Sequence, residues 1–190
     1  MTPNSNLISS TAELGAAGVA YLKSQADVVA DLNGISLINY SKAKLHGGVF
    51  VFYGALMNKL TFGDDVKISN SETIDEEGGI AIFYGTDNYL IMEPKSEISA
   101  CTASRNGGCF KMAGTGLNDV KIVGDQDYTP KISGMKVDSI QAAHATYTKN
   151  GGFLYLAGKN QDVLIKNVLI TGASVAGGNG GFIYTESSVA

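Results

Sequence analysis

The sequence predicts an all-β protein, a parallel β-helix of about five coils, from three observations: a recurring Gly-Gly anchor, β-prone runs between the anchors, and a glycine-rich, charge-poor composition. The anchor opens GGVFVFYG at Gly47, GGIAIFYG at Gly78, GGCFKMAG at Gly107, GGFLYLAG at Gly151 and GGFIYTES at Gly180. The first glycines are separated by 31, 29, 44 and 29 residues, and a near-constant period of this size is the mark of a stacked repeat. With 24 glycines, 3 prolines and 17% charged residues, the chain suits turns and sheets better than long helices or disorder.

From the N-terminus, residues 10–32 read as a candidate helix. Ser10 and Glu13 have capping-box spacing, whereas Gly15 and Gly18 weaken the pattern. Such a helix would cap the open end of a solenoid. The division that follows is an N-terminal segment, 1–32, and a repeat domain, 33–190. Within the repeats, Asn106, Asn150 and Asn179 stand directly before Gly-Gly. Asn and Gly tolerate positive φ, so the tripeptide reads as a corner and the run after it as a strand.

Each unit holds three short strand candidates and three turns, which describes one coil whose strands pair with their equivalents in the next. Asn-Gly also favours hairpins, so an antiparallel sandwich or propeller-like sheet is the competing architecture. The long interval contains VGDQDYTPKISG, residues 123–134, which reads as an inserted surface loop of about 14 residues.

Alternate strand positions sort by face. The predicted inward stacks are Phe50, Ala81, Phe110, Leu154 and Ile183, then Phe52, Phe83, Met112, Leu156 and Thr185. The predicted outward rows are Val49, Ile80, Cys109, Phe153 and Phe182, then Val51, Ile82, Lys111, Tyr155 and Tyr184. An outward stripe this apolar needs a cover, either the N-terminal segment or a second molecule. Val49, Val51, Ile80, Ile82, Phe153, Tyr155, Phe182 and Tyr184 are therefore the candidate assembly surface.

VLIKNVLITGASVAGGNGGFIY, residues 163–184, resembles the coils of right-handed parallel β-helices of the pectin-lyase-like superfamily. The Gly-Gly anchors are similar to repeats of chlamydial polymorphic outer-membrane proteins and related autotransporter passengers. The resemblance covers roughly residues 33–190. It implies a solenoid on a cell surface, adhesive or structural, or else one that binds or cleaves polysaccharide.

The resemblance to polysaccharide-cleaving β-helices would call for an Asn-Thr-Asp, a paired Asp, then Gly-His-Gly and Arg-Ile-Lys, and the chain does not carry that series. Asp64 and Asp65 are adjacent, so on a strand they would point to opposite faces, and they read as turn residues; Asp87 stands apart in GTDN. Asp125, Asp127, Tyr128 and Lys131 share the inserted loop and form a candidate glycan site. His46 and His144 lack metal-ligand spacing. Cys101 and Cys109 could pair or could serve as small apolar side chains. Asn39 heads an Asn-Tyr-Ser acceptor sequence.

A formal charge of −4 with a single arginine gives nucleic-acid binding little support, and no window approaches the length of a membrane span. The expectation is a non-catalytic extracellular solenoid without a cofactor, associating with itself or with neighbouring coils of a longer chain, with a glycan as the alternative partner.

Overall fold

The computed structural model describes residues 5–7, 10–33, 35–137 and 149–187. Ahead of the first coil lie β1 (Ser5–Leu7) and β2 (Ser10–Ala12). The first coil is β3 (Ala20–Ser24), β4 (Val28–Asp31), β5 (Ile35–Asn39) and β6 (Ser41–Ala43). The next two are β7 (Phe50–Gly54), β8 (Met57–Phe62) and β9 (Lys67–Thr73), then β10 (Ala81–Gly85), β11 (Asp87–Met92) and β12 (Glu97–Ala103). The fourth is β13 (Phe110–Gly114), β14 (Leu117–Val123), β15 (Lys131–Ser133) and β16 (Lys136–Val137). The fifth is β17 (Leu154–Gly158), β18 (Asn160–Lys166), β19 (Leu169–Thr171) and β20 (Ser174–Val175), with β21 (Ile183–Ser187) starting another.

Stacked coils make three faces. The first has six strands, β3, β7, β10, β13, β17 and β21; the second has five, β4, β8, β11, β14 and β18; the remaining ten strands form the third. Equivalent strands pair in parallel from coil to coil. The chain is thus a parallel β-solenoid of about five turns, and no helix occurs among the described residues.

Residues 10–32 carry strands β2, β3 and β4 of this stack rather than a capping helix. β3 alternates half-buried and exposed residues, the period of a strand, and pairs Ala20 with Phe50. Gly18 packs on the Gly48 carbonyl as a degenerate copy of the corner.

The predicted inward stacks are in register. Ala81 pairs with Phe50 and Phe110, and Leu154 with Phe110 and Ile183. Phe52 and Phe83 stack with ring centroids 4.8 Å apart. The third face adds a column of Ile38, Ile68, Ile98, Ile132 and Ile170.

One predicted outward row lies inside instead. Val49, Ile80, Cys109 and Phe153 are fully buried in the main core, and Phe182 is partly buried against it. At the corner the amides of Val49 and Phe50 both donate to the Ile80 carbonyl, at 2.8 and 2.9 Å. Two consecutive amides on one acceptor break the pleat, so the strand alternation starts only at the following residue. Phe153 and Phe182 stack face to face, 5.0 Å between centroids. Cys109 is disulfide-bonded to Cys101 with Cα atoms 5.2 Å apart. Closing so short a loop contributes roughly 2–3 kcal/mol in the chain-entropy account.

The two anchor glycines do different jobs. The first has positive φ, +67° at Gly78. The second lies where coils touch: a Cβ at Gly79 would meet the Gly108 carbonyl and sit 2.6 Å from the Thr102 oxygen.

The inserted residues are divided between two corners. Met92 pairs with Ile122 and Glu97 with Lys131, so the turn from 122 to 131 is four residues longer than that from 92 to 97. The other ten fall between Val137 and Asn150, largely in residues 138–148, outside the described residues together with His144. Lys131 to Ser133 are not loop but strand β15.

Each coil also bends on its third face at one left-handed residue: Tyr40, Asn70, Ala100, Gly134 and Gly172, with φ from 50° to 67°. Alanine is strained there. Ala100→Gly is expected to raise stability by about 0.5–1 kcal/mol after the greater freedom of the unfolded chain is counted. A lower urea midpoint for the variant would contradict this.

Candidate functional site

The candidate site lies on the outside of the first face, where successive corners fold back over the strands. Val51, Ile82, Lys111, Tyr155 and Tyr184 do point outward in one row. The Val51 and Ile82 side chains are nevertheless buried. Val51 lies in a cleft of about 350 Å³ lined by Ala16, Tyr21, His46, Tyr53 and Tyr84. The chain's own corner and first coil thus cover much of the stripe expected to meet a partner. Of the candidate assembly residues, Phe182 and Tyr184 stay partly exposed, whereas Tyr155 is 7% exposed.

Charged residues at the corners pair across coils. Arg105 Nη1 donates to Glu76 Oε2 at 2.8 Å. Asn106 Nδ2 donates to Glu77 Oε1 at 2.7 Å, and Lys111 Nζ reaches Glu77 Oε2. Asn150 Nδ2 donates to Asn106 Oδ1 at 3.3 Å, and Asn179 Nδ2 to Asn150 Oδ1 at 3.2 Å. The Asn residues singled out as corner formers therefore also tie the corners together.

His46 packs edge-on to Tyr84, 6.0 Å between centroids, with its buried Nδ1 lacking a hydrogen-bond partner. Burial holds the imidazole below its usual pKa, against the opposing pull of Glu76 and Glu77. Burial, reinforced by Glu77 and Glu76, pushes the Tyr84 hydroxyl above its ordinary range. Burial and a hydrogen bond to Glu186 do the same for Tyr155.

Tyr53 and Tyr84 lie 5.5 Å apart and separate that cleft from one of about 360 Å³ lined by Lys23, Gln25, Thr86 and Thr115. Tyr53 and Tyr84 thus form a tyrosine ledge shared by the two clefts.

The glycan-loop residues are partly brought together. Asp127, Tyr128 and Lys131 line a cleft of about 420 Å³, and Lys95 Nζ sits 4.4 Å from the Tyr128 ring. Asp125 is occupied in the turn, its Oδ1 accepting from the amides of Asp127 and Tyr128 at 2.9 and 2.7 Å. Asp64 and Asp65 occupy a turn, Asp65 at φ 64°. Asp87 Oδ1 accepts from the Leu117 amide at 2.8 Å. Asn39 Oδ1 accepts from Ser69 and Asn70, both at 2.8 Å.

A column of asparagines, not singled out from the sequence, runs through the interior. Asn58, Asn88 and Asn118 are fully buried, and each of the first two donates from Nδ2 to the next Oδ1 at 2.9 Å. The column ends on the Asn118 donation to the Ala157 carbonyl and begins with the Gly54 amide donating to Asn58 Oδ1. Their spacing of 30 residues was the available signal.

Among the described residues no three His, Cys, Asp or Glu side chains gather to hold a metal ion, and no helix is long and apolar enough to cross a membrane. Comparison with protein-family models, with curated proteins and with solved structures finds no match.

Proposed function

We propose that the chain is a non-catalytic structural or adhesive solenoid that works outside the cell and associates end to end with copies of itself. The supporting observation is the last turn of the stack, from β18 to β21. Val163, Ile165, Val168, Ile170, Phe182 and Ile183 are only partly buried there, while Val120, Ile122, Ile132, Phe153 and Leu154 one coil earlier are fully covered. Like residues stack in register throughout the solenoid, so a further coil, supplied in this reading by a second copy, would match this surface. Head-to-tail stacking without closure yields a filament. The buried disulfide fits an oxidising compartment. In this reading the chain works as do the repeats of Gly-Gly surface proteins that it resembles.

Gly181→Ala tests the assembly. Gly181 occupies the second anchor position, but a Cβ there meets nothing within 4 Å. The variant is expected to keep its fold and lose long assemblies, because a following coil would bring a carbonyl against the new methyl. Light scattering across a concentration series and electron microscopy read the result. A wild-type chain that stays monomeric, or a variant that assembles equally well, contradicts the proposal.

The tyrosine ledge favours a second reading, a glycan-binding solenoid. Tyr53→Ala should then abolish binding in titrations with oligosaccharides, and absence of affinity in the wild type would remove this reading.

A further inference from the structure

We propose that Lys111 and Asn106 become joined by an isopeptide bond, with Glu77 moving the protons. Both Lys111 and Glu77 depart from the repeat. In the outward row the equivalents of Lys111 are Val51, Ile82 and Tyr155. Directly before Gly-Gly, where the other units carry His46, Asn106, Asn150 and Asn179, only one has an acid, Glu77. The two exceptional residues meet across neighbouring coils, in a place that excludes water. Glu77 is 5% exposed, Asn106 8% and the Lys111 side chain 15%. A buried ion pair is a poor source of stability on its own, because desolvation offsets the attraction.

The arrangement sets an amine and an amide on the two oxygens of one carboxylate. Lys111 Nζ is held on Glu77 Oε2, and Asn106 Nδ2 on Glu77 Oε1 at 2.7 Å. Asn150 Nδ2, 3.3 Å from Asn106 Oδ1, supplies a donor where negative charge develops. The Tyr155 ring, 5.6 Å from Lys111 Nζ, helps keep water out.

In the reaction, Glu77 accepts a proton from the Lys111 ammonium, and the freed amine attacks Asn106 Cγ. Glu77 then protonates Nδ2, the Cγ–Nδ2 bond breaks, and ammonia leaves. The surplus proton on the attacking nitrogen returns through Glu77 and departs with ammonia as ammonium. One C–N bond replaces another and nothing is oxidised or reduced. Holding the reactants together removes the entropy of encounter that makes such amide exchange slow in water.

Intact mass spectrometry of the reduced, denatured full chain tests the proposal. The wild type is expected to be lighter than its sequence mass by one ammonia, and Lys111→Met and Glu77→Gln to have full mass. Trypsin should cut the wild type after Arg105 and Lys121 but not after Lys111, whose nitrogen is acylated. A wild type of full mass overturns the proposal. So does an ammonia deficit with normal cleavage after Lys111, which marks a succinimide at Asn106–Gly107, or a deficit that persists in Lys111→Met.

Discussion

Gly79→Ala is expected to lower the free energy of unfolding by more than about 4 kcal/mol, a large share of the stability of an ordinary domain. Its Cβ would fall on the Gly108 carbonyl and within 2.6 and 2.8 Å of the Thr102 oxygen and nitrogen. These are backbone atoms inside the coil-to-coil ladder, so relief requires separating strands rather than turning a side chain. Backbone hydrogen bonds on both sides, including Ile80 to Cys109 at 2.7 Å, would lengthen together. Gly181→Ala is the internal control, since it makes the same substitution with nothing within 4 Å, and it should cost less than about 1 kcal/mol. Urea unfolding followed by circular dichroism measures both. Equal, small losses would show that the coils can part to admit a methyl group, and the steric reading of the second glycine would fail.

Asn88→Asp is expected to cost about 4 kcal/mol near neutral pH. Asn88 accepts from Asn58 and donates to Asn118, both at 2.9 Å, with no exposure to solvent. A carboxylate keeps the acceptor but sets oxygen against Asn118 Oδ1 and buries a charge. Burial raises the carboxyl pKa in the folded chain above its unfolded value of about 4. The folded state then binds the proton more tightly, so the loss is smallest below the unfolded pKa and grows as pH rises toward the folded one. Once protonated, the acid can donate to Asn118 and recover part of the ladder. The stability gap between variant and wild type should therefore narrow on acidification. A gap that does not change with pH would mean that the carboxylate escapes to water and that the column is not closed.

The repeat period was legible because the same short anchor recurs, and the corners and the inward stacks on the first face because each depends on residues within a few positions of one another. Gly-Gly reported a corner, and alternation placed Phe50, Phe52, Ala81 and Phe83 inside. Alternation failed at Val49 and Ile80, where two amides share one carbonyl in the neighbouring coil and the pleat is interrupted. Local spacing misled in residues 10–32: the capping-box pattern suggested a helix, but pairing with β7 and β8 supplied inter-coil partners that a propensity argument does not see.

The asparagine column was present as a period, yet its role depends on burial and on contacts 30 residues apart. The meeting of Lys111 with Glu77 is likewise a product of stacking, since 34 residues separate them along the chain. Sequence by itself determined that this chain repeats and turns at Gly-Gly. Only the tertiary structure decided which polar groups share the interior and the corners, because those contacts run between coils, perpendicular to the chain.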